Sequence, residues 1–257
     1  MNRLVAEWLA VAGRDPRKAG VFVDFDGTLA PIVDDPAAAR PHRAAVGVLS
    51  DLASRWGTVA VVSGRPVAFL AEHLGGSGAT VFHGLYGLER ANASGGVETD
   101  PAAAAWRAAV DSAATEAEAE LGPGAVERKG LTVTLHYRTD PGREAQVARL
   151  AAGLAGRSGL VAHDAKMSVE LRPPVRTDKG TVLRQSAAGL VAVAFAGDDL
   201  GDLPAYAVLA QLRAAGVATL SIAAGGDETP PAVLEAADLT VEGPSGIIDV
   251  LRQLAGS

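Results

Sequence analysis

The feature that most constrains the fold of this chain is a recurrence. Short, nearly continuous apolar runs at Val21–Phe25, Val59–Val62, Val191–Ala196 and Thr219–Ala223 alternate with Ala-rich stretches of helical pattern. An apolar run of strand length with no polar alternation suits a strand buried on both faces, as in a parallel sheet covered by helices. Pro41–Ala53, Lys179–Ala188 and Asp202–Ala215 supply such helices, so the chain reads as strand–helix–strand units. A turn at Gly243–Gly246 and a last amphipathic helix close the pattern.

The middle of the chain departs from it. Pro101–Leu121 and Gly142–Gly156 read as helices. The first is followed by short strands at Val126–Lys129 and Leu131–Arg138, the second by strands at Leu160–His163 and Ser168–Leu171. Leu131, Val133 and Leu135 alternate with Thr132, Thr134 and His136, the period of a sheet with one exposed face. A small α+β domain at 101–173, inserted into a parallel-sheet domain made of 1–100 and 174–257, accounts for both patterns. The Gly-rich Ala91–Asp100 and the Pro-rich Arg172–Asp178 are the expected hinges.

Composition removes several classes. With 48% hydrophobic residues over 257 positions, the chain can bury a sizeable core and is not disordered. No apolar run reaches the roughly 18 residues that span a bilayer. Leu4–Ala12 is interrupted by Glu7 and lacks the basic flank and cleavage site of a secretory leader. The absence of Cys excludes disulfides and thiolate metal sites. A net charge of −7 without a basic stripe speaks against a nucleic-acid partner. A cytoplasmic protein that does not touch membranes is expected.

Polar motifs stand at the ends of the apolar runs. Asp24 and Asp26 follow the first run, and their spacing of two puts both carboxylates on one side of an extended chain. Sheets of this kind bind ligands at such strand ends, although two acids that merely solvate a strand end look the same. Gly27 permits a tight turn close to an anion. Ser63 is a helix N-cap, a hydroxyl beside free amides that hold phosphate, or both. Lys179 opens a helix, where a cation is disfavoured, and reads either as a surface charge or as the partner of a local anion. Asp198, Asp199 and Asp202 crowd one loop. Capping accounts for one or two of them; three call for a cation, and hard oxygen donors suit Mg²⁺.

Taken in order, these four motifs resemble those of the haloacid-dehalogenase-type phosphatase superfamily. His83-Gly84-Leu85-Tyr86-Gly87-Leu88-Glu89, Glu127-Arg128-Lys129, Lys166-Met167-Ser168-Val169-Glu170-Leu171-Arg172-Pro173 and Val241-Glu242-Gly243-Pro244-Ser245-Gly246 resemble segments of trehalose-6-phosphate phosphatases. Members of that family often have His where Tyr86 stands and Thr where Gly201 stands. The resemblance implies a doubly wound, Rossmann-like core with an inserted α+β cap domain, and Mg²⁺-dependent hydrolysis of trehalose 6-phosphate to trehalose and phosphate. It makes Asp24 the nucleophile that forms an aspartyl-phosphate, and Asp26 the acid and then the base. Ser63 and Lys179 hold phosphoryl oxygens. The metal is held by Asp24, the backbone carbonyl of Asp26, and Asp198, while Asp199 and Asp202 order metal-bound waters and the loop.

Glu127, Lys129 and Glu170 become readers of glucose hydroxyls; without the resemblance they are an ion-paired, solvated strand face. Arg65, His83, His136 and Arg138 are further candidates to contact substrate. Three alternatives stay open: the same chemistry on another sugar phosphate, phosphoryl transfer to an acceptor other than water, and a non-catalytic sugar-phosphate sensor.

Overall fold

The structure, a computed structural model, describes residues 2–33, 35–91 and 95–256. The chain divides into two compact units, Met1–Val97 with Thr177–Ser257, and Glu98–Arg176. The first stretch holds α1 (Arg3–Ala12), β1 (Ala19–Val23), α2 (Ala45–Arg55), β2 (Thr58–Val62), α3 (Val67–Leu74), β3 (Val81–Gly84), β4 (Glu89–Ala91) and β5 (Val97–Thr99). The middle unit holds α4 (Pro101–Ala104), α5 (Arg107–Leu121), β6 (Val126–Arg128), β7 (Val133–His136), α6 (Glu144–Ser158), β8 (Val161–Ala165) and β9 (Ser168–Arg172). The chain then continues through α7 (Lys179–Ser186), β10 (Ala192–Gly197), α8 (Leu203–Ala214), β11 (Ala218–Gly225), α9 (Pro231–Ala236), β12 (Leu239–Glu242) and α10 (Gly243–Ala255). No helix among the described residues is long and apolar enough to cross a membrane.

The larger sheet has the order β12-β11-β10-β1-β2-β3-β4-β5. Pairing is parallel from β12 through β3, and β4 runs antiparallel to β3. Strand β1 shows why the apolar runs lack alternation. Val21 and Val23 pack into a layer with α1, α2, α3 and α10, whereas Phe22 packs into the opposite layer with α7, α8 and α9. Phe22 and Phe195 are fully buried, each contributing about 1.5–3 kcal/mol of transfer free energy. The sheet is doubly wound: the chain leaves β1 toward β2 and β3, and later returns on the other side of β1 to β10, β11 and β12. The reversal of direction falls beside β1, and Asp24, Ser63 and Asp198 follow the carboxyl ends of β1, β2 and β10, where sheets of this kind bind ligands.

The middle unit is an antiparallel sheet, β6-β7-β9-β8. Its apolar face carries Val133, Leu135, Val169 and Leu171, which pack on Val110 and Ala117 of α5 and on Val147 and Leu154 of α6. On the polar face Thr134 stands opposite Glu127 on one side and Glu170 on the other.

Some sequence expectations need adjustment. Helix α2 starts at Ala45, not Pro41. The helix expected over 101–121 is interrupted at Ala105 and Trp106. The turn expected at 243–246 is the first turn of α10, where Pro244 lacks an amide that would in any case find no helical partner.

Candidate active site

The nucleophile candidate is placed by the sheet. The Asp24 amide donates to the Ala196 carbonyl at 2.9 Å, extending the β1–β10 pairing, and its side chain is buried. The chain then reverses, with the Gly27 amide donating to the Ala30 carbonyl at 2.7 Å. Gly27 has a φ of +80°, and a Cβ there would fall 2.0 Å from the Asp198 carboxylate, so only glycine fits. The Thr28 hydroxyl donates to Asp198 Oδ1 at 3.2 Å. The first motif therefore fixes the side chain of the fourth.

Lys179 joins them. Asp178 caps α7 by accepting from the Thr181 amide, which sets Lys179 at the helix start. The Lys179 ammonium is buried, 2.9 Å from Asp24 Oδ1 and 2.6 Å from Asp202 Oδ1. Burial alone pushes its pKa down, but Asp202, Asp24 and Asp199 outweigh that and hold it well above the ordinary lysine value. The other oxygen of Asp202 accepts from the amides of Asp198 and Asp199 at 2.9 and 3.1 Å. Asp199 in turn accepts from the Gly201 amide at 2.9 Å. Asp202 thus ties the loop amides to the lysine.

The charge balance favours a cation. Burial pushes the Asp24 carboxyl well above its usual range; Lys179 opposes this, while Asp202, Asp198 and Asp199 push it further up. Asp202 is pushed up to about 6, chiefly by burial. Carboxylate oxygens of Asp24, Asp198 and Asp202 lie within 4.8 Å of one another, an all-oxygen donor set with surplus negative charge. Such a set fits Mg²⁺. The sequence assigned Asp26 to the metal through its carbonyl and left Asp202 outside. In the structure the Asp26 carboxylate turns to Arg65, whereas both Asp202 oxygens already serve Lys179 and the loop amides.

The second motif departs from its capping reading. Helix α3 starts at Val67 with Pro66 at the cap position, and the Ser63 hydroxyl accepts instead from the Arg65 amide at 3.1 Å. The open amide of Val67 donates to Glu89 Oε2 at 2.9 Å, a capping partner 22 residues away. Arg65 forks onto Asp26, Nε to Oδ2 at 2.7 Å and Nη2 to Oδ1 at 2.8 Å. Leu85 and Tyr86 have φ values of +50° and +59°, and their amides donate to the carbonyls of Arg65 and Ser63. Tyr86, which stands where relatives often have His, lies against Gly64: a Cβ on Gly64 would sit 2.6 Å from its hydroxyl. His83 is buried beside these loops, its pKa pushed down to about 4 by burial and then by Arg90.

The middle unit carries its own polar cluster. Glu170 is buried, accepting from Thr132 Oγ1 at 2.8 Å and from Arg172 Nε at 2.7 Å, with Lys129 Nζ at 3.4 Å. Burial pushes its pKa up, but the charges of Lys129 and Arg172 prevail and hold it below the usual range. Glu127 Oε2 lies 3.0 Å from His136 Nε2 and 3.7 Å from Lys129 Nζ. The buried Thr134 hydroxyl between the two glutamates has no hydrogen-bond partner among the described residues. The structure therefore gathers Glu127, Lys129, Glu170 and His136, and adds Thr132 and Thr134, whose signal was only the strand alternation, and Arg172, which belonged to the family-like segment 166–173. Arg138 and Lys166 are half-buried in the same unit.

A family description, trehalose-phosphatase, matches residues 22–231. A trehalose-phosphate phosphatase of Mycobacterium marinum is 38% identical over 203 residues, 74% of this chain and 51% of that protein. Its counterpart in Mycobacterium avium is 37% identical over 207 residues, 76% of this chain and 52% of that protein. The chain thus spans about half the length of the curated relatives it matches. Among solved structures, the C-terminal domain of the trehalose-6-phosphate phosphatase of C. albicans superposes with a TM-score of 0.76 at 23% identity, covering 100% of this chain and 97% of that one. A trehalose-6-phosphate phosphatase related protein gives 0.74 at 21% identity, over 93% and 97%. At these identities the solved structures speak for the fold.

Proposed function

Because the chain belongs to the trehalose-phosphatase family, we propose that it hydrolyses trehalose 6-phosphate to trehalose and phosphate. The observation that carries the chemistry is the buried Asp24 carboxylate against the Lys179 ammonium at 2.9 Å, with Asp198 beside it. An Asp24 oxygen attacks phosphorus as the bond from phosphorus to the sugar oxygen breaks, and Asp26 gives its proton to that oxygen. Water then attacks the aspartyl-phosphate, Asp26 takes its proton, and phosphate leaves with Asp24 restored. Ser63 and Lys179 hold the phosphoryl oxygens throughout. Mg²⁺ would be held by the carboxylates of Asp24 and Asp198 and the carbonyl of Asp26, and would supply the positive charge that lets one anion approach another. Asp199 and Asp202 would order its waters and the loop.

Residues 1–100 and 174–257 carry the chemistry, and 101–173 the sugar specificity. There Glu127, Lys129 and Glu170 hold glucose hydroxyls, each carboxylate or amine serving more than one partner. The test is phosphate release from trehalose 6-phosphate, glucose 6-phosphate and glycerol phosphate, each with Mg²⁺ and with EDTA, for the wild type and Asp24→Asn. Turnover selective for trehalose 6-phosphate, lost in EDTA and in folded Asp24→Asn, is expected. Equal turnover of all three esters rejects the substrate, and near-normal turnover by Asp24→Asn rejects the nucleophile.

A further inference from the structure

We infer that Arg65 is the positioning residue of Asp26, holding the acid–base carboxylate in one orientation, and does not itself grip the substrate; this rests on the role proposed for Asp26. A guanidinium that forks onto a carboxylate with both N–H···O contacts fixes its tilt as well as its place, which a lysine cannot do. Here both oxygens of Asp26 are taken, at 2.7 and 2.8 Å. The exposure is asymmetric: the Arg65 side chain is 9% exposed and that of Asp26 33%. The arginine stands behind the acid, and the acid is the group that a substrate can reach.

Arg65 is itself held on every side. Its amide donates to Ser63 Oγ, its carbonyl accepts from the Leu85 amide, and its guanidinium lies 4.6 Å over the Phe69 ring. Phe69 meets Phe25 edge-on at 5.5 Å and stacks on His73 at 4.3 Å. Phe25 is the residue between Asp24 and Asp26, so the aromatic stack ties the arginine to the turn that carries both carboxylates. When Asp26 carries the proton for the leaving oxygen, its hydroxyl oxygen accepts from Arg65 more weakly, while the carbonyl oxygen keeps its contact and holds the carboxyl in place.

The test uses two small esters that share a phosphoryl group and lack any sugar. Ethyl phosphate has a poor leaving group that needs a proton; p-nitrophenyl phosphate has a good one that does not. We compare kcat/KM, which reports steps up to departure of the first leaving group, for the wild type, Arg65→Gln, Arg65→Lys and Asp26→Asn. Inhibition by inorganic phosphate is measured alongside. Both Arg65 variants should lose about 10²-fold on ethyl phosphate and less than about tenfold on p-nitrophenyl phosphate, with phosphate inhibition unchanged. Equal losses on both esters, no loss on either, or weakened phosphate inhibition would overturn the assignment. Asp26→Asn separates the two claims: a split between esters there but not in the Arg65 variants removes only the positioning role, and no split in either removes the acid role as well.

Discussion

The acids around Lys179 make a quantitative prediction about cation binding. Three carboxylates, from Asp24, Asp199 and Asp202, act on one ammonium, and Asp198 adds a fourth negative charge beside Asp24. Burial together with the repulsion of Asp202, Asp198 and Asp199 keeps Asp24 protonating more readily than an ordinary aspartate. A cation that binds only the folded state stabilises it by RT ln(1 + [Mg²⁺]/Kd), about 2.7 kcal/mol at a hundredfold excess over Kd. For a domain of this size that is an increase of about 5–10 °C in unfolding temperature. The perturbation is Asp198→Asn, which keeps shape and can still accept from the Thr28 hydroxyl, seen here at 3.2 Å. In EDTA the variant should be at least as stable as the wild type, because one repulsion with Asp24 is gone. In Mg²⁺ it should lose most of the gain. The assay is thermal unfolding of both proteins in EDTA and across a Mg²⁺ titration. Equal gains in the two proteins, no gain in the wild type, or a large loss of stability by the variant in EDTA would refute the reasoning.

Two further outcomes follow from buried polar groups. The His83 pKa of about 4 lies below the unfolded value of about 6.5, so the unfolded chain binds the proton more tightly and stability is lost as pH falls through that window. The full loss is about 3 kcal/mol; urea unfolding of His83→Gln should lack it between pH 7.5 and 4.5, and parallel curves for the two proteins would reject the cause. Glu127→Gln, Lys129→Gln and Glu170→Gln should each cost about ten- to a hundredfold in kcat/KM on trehalose 6-phosphate and little on p-nitrophenyl phosphate. A parallel decline on both esters would make these residues supports of the fold.

What the sequence showed, and what it hid, divides along a physical line. The runs that became β1, β2, β10 and β11 were legible to within two residues because helices cover both their faces, which leaves no polar alternation to confuse them. Helix α3 and strands β3 and β4 were not. They are short, and the group that caps α3, Glu89, comes from β4, so the start of the helix depends on a tertiary contact. The break at Trp106 hid inside an Ala-rich stretch whose local propensity is helical throughout. At the site, the order of motifs was enough to point to Asp24, Ser63, Lys179 and Asp198 together. The fork of Arg65 onto Asp26, 39 residues away, left no local trace, because Ser-Gly-Arg-Pro fits many turns.

The two grips on Lys179 explain why its motif needs Asp202 as well as Asp24. On the proposed route Asp24 becomes an acyl phosphate, and while that intermediate lasts the negative charge on its side of Lys179 sits on the phosphoryl oxygens. A buried ammonium with Asp24 as its one carboxylate partner would then depend on the phosphoryl oxygens alone, and losing one member of a buried pair costs about 3–5 kcal/mol. Asp202, fully buried and 2.6 Å from Nζ, gives Lys179 a second carboxylate partner that the reaction at Asp24 does not consume. Its second oxygen, on the amides of Asp198 and Asp199, holds the loop at the same time. Lys179 meets Asp24 through one oxygen, Oδ1, at 2.9 Å. The two grips give this lysine one partner outside the reacting group, a task that Asp202 performs besides its part in the helix cap of the loop.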